Sequence, residues 1–168
     1  YGWTRLVVDP VMVATSGDRL LDIEAEAVIR EVLLPLAAVV TPNLDEAAIL
    51  AGFPVEDEPS MERAARTILE LGATGVLVKG GHLPGEGLVD LLVTSEGTRR
   101  YRGRRIPTTS THGTGCTLSA AITAGLAQGL ELEAAVIDAL SYVHRAIVAA
   151  PGLGGGHGPI NHGVPARE

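Results

Sequence analysis

Short apolar runs alternate along the chain with longer segments in which apolar residues recur every three or four positions. The runs at 5–8, 38–40 and 75–78 each contain valine and predict short buried strands. Residues 22–34 and 43–51 have the periodicity of helices, followed by a proline and a glycine respectively. Strands that alternate with helices are typical of a parallel sheet flanked by helices. The pattern therefore predicts an α/β fold with a mainly parallel sheet.

The second half of the chain predicts a hairpin and two helices. Residues 88–93 and 98–106 flank the tripeptide Ser-Glu-Gly, which favours a turn between antiparallel strands. Apolar periodicity then predicts one helix at 118–127 and another at about 131–149. The last segment, 151–168, is rich in glycine and proline, and we expect it to be a loop.

Two helix starts contain residues that commonly cap helices. Asn43 with Glu46 three positions later matches the spacing of a capping box, although serine or threonine is the usual cap. Ser60 is predicted to cap the next helix, which continues through Leu71 and ends before Gly72.

Composition and charge restrict the classes of function. The 168 residues are enough for one domain with a sizeable core, and 46% of them are hydrophobic. A formal net charge of −7 argues against nucleic acid as a general partner. No apolar run has the length of a membrane span, and a single cysteine fits a reducing compartment, so we expect a cytoplasmic protein without membrane contact. The chain begins Tyr-Gly-Trp, without methionine, and we expect it to be part of a larger protein.

The most informative segment is Thr-Ser-Thr-His-Gly-Thr-Gly-Cys-Thr at 109–117, directly before an apolar helix. Its two glycines allow a tight turn that presents several N–H groups, and the positive end of the helix favours an anion there. Cys116, the only cysteine, ends the turn. The segment predicts a phosphate-binding turn with a potential base. The alternative is an ordinary turn before a helix, with the cysteine as a small buried hydrophobic residue.

Polar residues stand at the carboxyl ends of the predicted strands. Asp9, Asn43 and Lys79 have this position, and so does the glycine turn. Open α/β sheets bind ligands at the carboxyl ends of their strands, so these residues predict one shared site. Lys79 is the only lysine among 13 basic residues, and its compact ammonium could neutralise a transferring phosphoryl group. The alternative is a surface lysine that finishes a strand.

Two carboxylates near this edge could hold magnesium against nucleotide phosphates. Asp9 would do so with Glu46, which would act through water as an outer ligand. Each carboxylate also has a purely structural alternative. Asp9 before a proline is more often a turn residue, and Glu46 completes the capping box that starts at Asn43.

Four short motifs and a tail segment occur in a fixed order along the chain. They are Asp-Pro-Val-Met at 9–12, Thr-Pro-Asn at 41–43 with Glu46, Lys-Gly-Gly-His at 79–82, Thr-His-Gly-Thr-Gly-Cys-Thr at 111–117 and Gly-Pro-Ile-Asn-His at 158–162. Together they closely resemble the hydroxymethylpyrimidine/phosphomethylpyrimidine kinases of thiamine biosynthesis, which are members of the ribokinase-like superfamily. The resemblance covers essentially the whole chain.

The resemblance implies transfer of a phosphoryl group from ATP to the pyrimidine and then to its monophosphate, with Mg²⁺ as a cofactor. It implies that Cys116 helps to deprotonate the acceptor and that Lys79 steadies the phosphates. Asp9 and Glu46 would organise magnesium, supported by Asn43. Val11 would line the pyrimidine pocket. The anion hole for the ATP phosphates would be formed by Thr111, Gly113, Thr114 and Gly115.

The resemblance also implies that a part of the family's fold precedes this chain. Family members have an N-terminal portion with the first strands and most pyrimidine contacts, so residues 1–168 would be a partial kinase domain, the C-terminal two-thirds of the fold. Homodimers are frequent among these kinases. Two alternatives stay open: a pyridoxal kinase of the same superfamily, or a non-catalytic nucleotide-binding fragment that needs its missing portion.

Overall fold

The computed structural model describes residues 5–13, 19–81, 83 and 87–167. His82, the last residue of the Lys-Gly-Gly-His motif, lies outside these residues. The chain divides into two compact units, Tyr1–Arg105 and Ile106–Glu168, and each is described by itself. That both units belong to one domain stays a prediction.

The first unit contains a five-stranded sheet in which the strands follow the order of the sequence. Its strands are β1 (Leu6–Val8), β2 (Ala37–Val40), β3 (Gly75–Lys79), β4 (Gly87–Thr94) and β5 (Gly97–Arg104). β1, β2 and β3 pair in parallel, whereas β4 is antiparallel to both of its neighbours. Four of the five strands therefore run in one direction, which confirms the predicted α/β fold with a mainly parallel sheet.

The predicted hairpin is present and has a two-residue turn. Thr94 pairs with Gly97, so Ser95 and Glu96 connect β4 to β5. Gly97 has a φ of 139°, a conformation that favours glycine over residues with a side chain. β4 is largely buried and β5 is largely exposed, which fits an arginine-rich strand at the edge of the sheet.

The predicted helix at 22–34 is a continuous helical segment with three different windings. α1 (Ile23–Val28) begins at the cap Asp22, whose carboxylate accepts the N–H of Ala25. It continues as a π-helical stretch, Ile29–Leu33, and then as a 3₁₀ turn, Leu34–Leu36. Proline was expected to end this helix; it lies in the first positions of the 3₁₀ turn, where its missing N–H is tolerated.

Two further helices, α2 (Leu44–Ala51) and α3 (Glu58–Glu70), pack in this unit. The prediction that Ser60 caps α3 is wrong, because the cap is Asp57. Its carboxylate accepts the N–H of Ser60, and the Ser60 hydroxyl accepts the N–H of Asp57 in return, so the two residues form a reciprocal capping box. The core of the unit joins the sheet to these helices and includes Val40, Leu50, Met61, Ile68, Val76 and Leu91.

The second unit consists of two packed helices and the tail. α4 (Thr114–Ala127) begins four residues before the predicted start, and α5 (Leu132–Val148) lies within its predicted range. The helices approach closely, since a Cβ atom on Gly125 would lie 3.0 Å from the Cβ of Ala135. Within the described residues, no helix is long and apolar enough to cross a membrane.

The tail, predicted to be a loop, is irregular and is held against α5 and the glycine turn. The N–H of Asn161 donates to the carbonyl oxygen of Ala146 at 2.9 Å. The Tyr142 hydroxyl donates to the carbonyl oxygen of His162, also at 2.9 Å. These bonds give the tail a defined place on α5.

Candidate active site

An ion pair joins the ends of β1 and β3. Nζ of Lys79 lies 3.0 Å from Oδ1 of Asp9, and the side chains are only 17% and 14% exposed. The Thr41 hydroxyl donates to the same carboxylate oxygen at 3.1 Å. Side chains from the ends of β2 and β3 therefore converge on one carboxylate oxygen of Asp9, at the end of β1.

Backbone bonds beyond the strands explain why these side chains meet. The N–H of Thr41, just after β2, donates to the carbonyl oxygen of Val8 at 2.9 Å. The N–H of Lys79 donates to the carbonyl oxygen of Pro42 at 2.8 Å. The parallel pairing thus continues past the strand ends and aligns the residues that follow them, as the sequence predicts for Asp9, Asn43 and Lys79.

Glu46 is a buried carboxylate in the first turn of α2. With Asn43 it forms the predicted capping box: the Asn43 side chain accepts the N–H of Glu46, and Oε2 of Glu46 accepts the N–H of Asn43 at 2.8 Å. Oε1 accepts the N–H of Met12 at 3.3 Å. Burial raises the pKa of Glu46, and the Asp9 charge also raises it, whereas the N–H of Asn43 and the Lys79 charge act in the opposite direction.

The loop after β1 contains a strained residue. Val11 has a φ of 45°, a left-handed conformation that is rare for a β-branched side chain. Its side chain is 43% exposed, whereas the next residue, Met12, is fully buried and bonds to Glu46 through its N–H. Pro10, the residue before Val11, is buried as well. The exposed side chain of Val11 therefore lies between two buried residues.

Asp90 is a titratable residue near this edge that the sequence analysis missed. It lies in β4 opposite Lys79, is 5% exposed, and accepts the N–H of Gly80 at 2.9 Å. Burial raises the pKa of Asp90 to about 6, although the Gly80 N–H and the Lys79 charge lower it. The available signal was a single acid inside the otherwise apolar run Leu-Val-Asp-Leu-Leu-Val.

The carboxylates at this edge fit a magnesium ion whose other ligands are phosphates and water. Within the described residues, no group of three or more His, Cys, Asp or Glu side chains is placed to hold a metal ion. Asp9 and Glu46 are hard oxygen donors, and both oxygens of Glu46 already accept a backbone N–H. Magnesium in phosphoryl-transfer sites is commonly held by one or two carboxylates, with phosphates and water supplying the rest. These two carboxylates fit that arrangement, and the action of Glu46 on magnesium through water stays a prediction.

The glycine turn of the second unit forms the start of α4. Gly113 has a φ of 83°, is the residue before the helix, and has no side chain to cap it. Two threonine hydroxyls hydrogen-bond within the turn. The Thr114 hydroxyl donates to the carbonyl oxygen of Thr111 at 3.1 Å, and the Thr117 hydroxyl donates to the carbonyl oxygen of Gly113 at 2.7 Å. The first helical turn thus presents the N–H groups of Gly115 and Cys116 without a capping side chain.

Cys116 is exposed and is the third residue of α4. The interpretation as a small buried residue is therefore wrong. Beside it, the hydroxyl of Thr117 lies 3.0 Å from Nε2 of His162 in the tail, and the N–H of His112 donates to the carbonyl oxygen of Gly158 at 3.2 Å. The tail therefore contacts residues at both ends of the glycine turn.

The predicted site residues form two groups in the structure. The first unit brings together Asp9, Asn43, Glu46 and Lys79. Val11 lies on the loop that follows Asp9. The second unit brings together Thr111, Gly113, Thr114, Gly115 and Cys116. That both groups belong to one site stays a prediction.

Comparison with known proteins decides the family. The family model of phosphomethylpyrimidine kinase matches residues 1–161. The chain belongs to this family. One relative is a hydroxymethylpyrimidine/phosphomethylpyrimidine kinase of Rhizobium meliloti (strain 1021). It is 55% identical to this chain over 161 residues, and the match covers 94% of this chain and 60% of the relative. The chain thus spans about 60% of the length of such curated phosphomethylpyrimidine kinases.

Solved structures of related kinases have the same fold. The phosphomethylpyrimidine kinase of Clostridium difficile 630 matches with a TM-score of 0.74 and 42% identity, over 86% of this chain and 58% of that one. An ADP complex of Bacillus subtilis pyridoxal kinase matches with a TM-score of 0.86 and 40% identity, over 93% of this chain and 59% of that one. These matches confirm the predicted ribokinase-like fold.

Proposed function

We propose that this chain is a large part of an ATP-dependent kinase that phosphorylates 4-amino-5-hydroxymethyl-2-methylpyrimidine and its monophosphate. The enzyme would act in the cytoplasm as a homodimer, and both units would belong to its kinase domain. The family membership supports the reaction class, and the observation that carries the proposal in this chain is the ion pair between Asp9 and Lys79 at the strand ends. A partly buried lysine at that edge is suited to neutralise phosphate charge.

The first unit would supply the charges. Lys79 would leave Asp9 to bind the phosphates of ATP as a point charge, and the freed Asp9 carboxylate would be available to hold magnesium. Glu46 would support that ion through water, and Asn43 keeps Glu46 in place through the capping box. Magnesium, when bound, neutralises the charge that develops on the transferring phosphoryl group.

The second unit would supply the anion hole and the base. N–H groups of Gly115 and Cys116 face a phosphate at the start of α4, and the left-handed Gly113 sets their direction. Thr114 and Thr111 keep the turn closed. Cys116 accepts the proton of the substrate hydroxyl as its oxygen attacks the γ-phosphorus, and ADP leaves with the electrons of the broken P–O bond.

Val11 would contact the pyrimidine, since its outward, strained conformation presents an apolar side chain on the loop that also contains Asp9. A second candidate function is phosphorylation of pyridoxal. It is favoured by the likeness to the Bacillus subtilis pyridoxal kinase, at 40% identity over 93% of this chain.

The test compares substrates in a chain of full family length. The chain is assayed alone and joined behind the N-terminal portion of the Rhizobium meliloti relative, with the pyrimidine, its monophosphate and pyridoxal as acceptors. We expect turnover of the pyrimidine and its monophosphate by the chimera, dependent on ATP and Mg²⁺. The relative's N-terminal portion alone and a chimera with Lys79→Met serve as controls for background activity.

Each other result contradicts the proposal in a distinct way. Preference for pyridoxal would support the second candidate and keep the site assignments. Absence of turnover with every acceptor, together with binding of a non-hydrolysable ATP analogue, would support the non-catalytic nucleotide-binding alternative.

A further inference from the structure

Asp90 and Lys79 lie directly opposite each other on neighbouring strands. They are partners in the antiparallel register of β3 and β4, so their side chains leave the same face of the sheet. Lys79 ends β3, whereas Asp90 is in the middle of β4 and is 5% exposed. The proposed function gives roles to Lys79 and Asp9 and none to this buried acid.

The backbone after Lys79 is fixed by the same acid. Oδ1 of Asp90 accepts the N–H of Gly80 at 2.9 Å. The chain also passes very close to β4 here, because a Cβ atom on residue 80 would lie 1.9 Å from the carbonyl oxygen of Val89. The direction in which the chain leaves Lys79 is therefore set by one hydrogen bond and by one close contact with β4.

The hydrogen bond alone does not explain a carboxylate. An asparagine would also accept the Gly80 N–H, without the free-energy cost of burying a charge. Burial raises the pKa of Asp90 to about 6. Because this value is still below neutral pH, the side chain is mostly ionised there despite the cost of burial. The Gly80 N–H favours the ionised form, and the Lys79 ammonium, opposite Asp90 on the neighbouring strand, favours it as well.

We propose that Asp90 is a positioning residue for Lys79: its hydrogen bond to Gly80 fixes the backbone after the lysine, and its charge holds the ammonium at the strand ends beside Asp9. The ammonium, paired with Asp9 at 3.0 Å, can then turn to a phosphate without leaving this edge. The role in catalysis rests on the proposed function, but the position of Lys79 can be measured without turnover.

Lys79 is the only lysine of the chain, which makes it a unique probe. In a tag-free chain labelled with [¹³Cε]-lysine, a fixed side chain gives two separate Hε signals at one carbon frequency, whereas a mobile one gives a single averaged signal. We expect two signals in the wild type and a separation at least halved in Asp90→Asn. Glu96→Gln, which removes an exposed charge from the turn of the same hairpin, should leave both signals unchanged.

Asp90→Asn keeps the acceptor for Gly80, so a purely structural role through that bond would leave the Lys79 signals as in the wild type. That result would overturn the proposal. An equally large decrease in the separation of the two Hε signals in Glu96→Gln would overturn the proposal too, since the effect would then not be specific to Asp90. Loss of kinase turnover in every form of the chain would contradict the proposed function only, because these signals do not depend on turnover.

A double-mutant cycle tests the same coupling if the side-chain signals overlap or a variant folds poorly. Without Lys79, the Asp90 charge is buried with less compensation, so Asp90→Asn should raise the midpoint of urea unfolding more in a Lys79→Met background than in the wild type. Lys79→Met with Asp90→Asn should also be more stable than Lys79→Met alone. Equal effects of Asp90→Asn in both backgrounds would mean that the two charges are not coupled, and the proposal would fail.

Discussion

Nζ of Lys79 lies 3.0 Å from Oδ1 of Asp9, although 70 positions separate the two residues in the sequence. The contact exists because β2 lies between β1 and β3 and keeps both strand ends in register. A partly buried ion pair gains little net stability over apolar packing, because both charges lose solvation. The pair is therefore better explained by the charge it places at the strand ends than by its contribution to the fold.

Lys79→Met in the chimeric enzyme should lower kcat/KM for ATP by about 10²–10³-fold, the loss typical for a group that stabilises transition-state charge. Lys79→Arg should restore little of it, since a planar guanidinium does not replace a compact ammonium between Asp9 and a phosphate. Initial rates at varied ATP concentration measure both variants. Arg66→Gln, which breaks an exposed ion pair with Glu62, is the control for the loss of a positive charge. An equal loss in this control would contradict the assignment.

Gly80→Ala should destabilise the chain by about 3 kcal/mol, because the new Cβ would overlap the carbonyl oxygen of Val89 at 1.9 Å and force β3 and β4 apart. Gly81→Ala is the matched control one residue later, where a Cβ meets no atom within 4 Å and the change should be within about 0.5 kcal/mol. Urea unfolding of both variants gives the comparison. Similar stability of the two would show that the backbone at residue 80 relaxes freely.

Much of the fold was predictable because local patterns and tertiary packing agree. The valine-containing runs became β1, β2 and β3, and Asn43 with Glu46 became a capping box as their spacing predicts. The meeting of Asp9, Asn43 and Lys79 at the strand ends was predictable because parallel pairing aligns those ends by geometry alone.

The remaining features depend on competition that no local pattern resolves. Asp57 and Ser60 are both good capping residues, and Pro59 at the start of α3 is compatible with the earlier cap, Asp57. The early start of α4 follows from the left-handed conformation of Gly113, which a sequence permits but does not require. Asp90 was missed because a buried acid in a strand has meaning only once its partner on the next strand is known.

The pH dependence of stability should differ between the wild type and Asp90→Asn. Because folding raises the pKa of Asp90 from 3.8 to about 6, its stabilising contribution is fully present below about pH 3.8 and is lost as the pH rises through 6. The free energy of unfolding of the wild type should therefore fall relative to that of Asp90→Asn between about pH 4 and pH 7, by up to about 3 kcal/mol. Glu46, whose pKa is also raised, is present in both proteins and cancels in the difference.

Urea unfolding at several pH values measures this difference. Glu96→Gln, which removes an exposed carboxylate from the turn of the same hairpin, is measured over the same range as the control for losing a surface charge. A constant difference between the wild type and Asp90→Asn would mean that Asp90 titrates in the folded chain as it does in the unfolded chain.

Cys116→Ala should lower turnover of the chimeric enzyme by about 10²–10⁴-fold, the usual contribution of a positioned proton acceptor. Binding of ATP should survive, because the N–H groups of the first turn of α4 belong to the backbone and the turn is closed by Thr114 and Thr117. Steady-state rates and calorimetric titration with a non-hydrolysable ATP analogue separate the two effects. Cys116→Asp, which returns a base to the same position, should recover part of the rate. Unchanged turnover in Cys116→Ala would mean that catalysis depends on positioning and on charge neutralisation by Lys79, without a protein base.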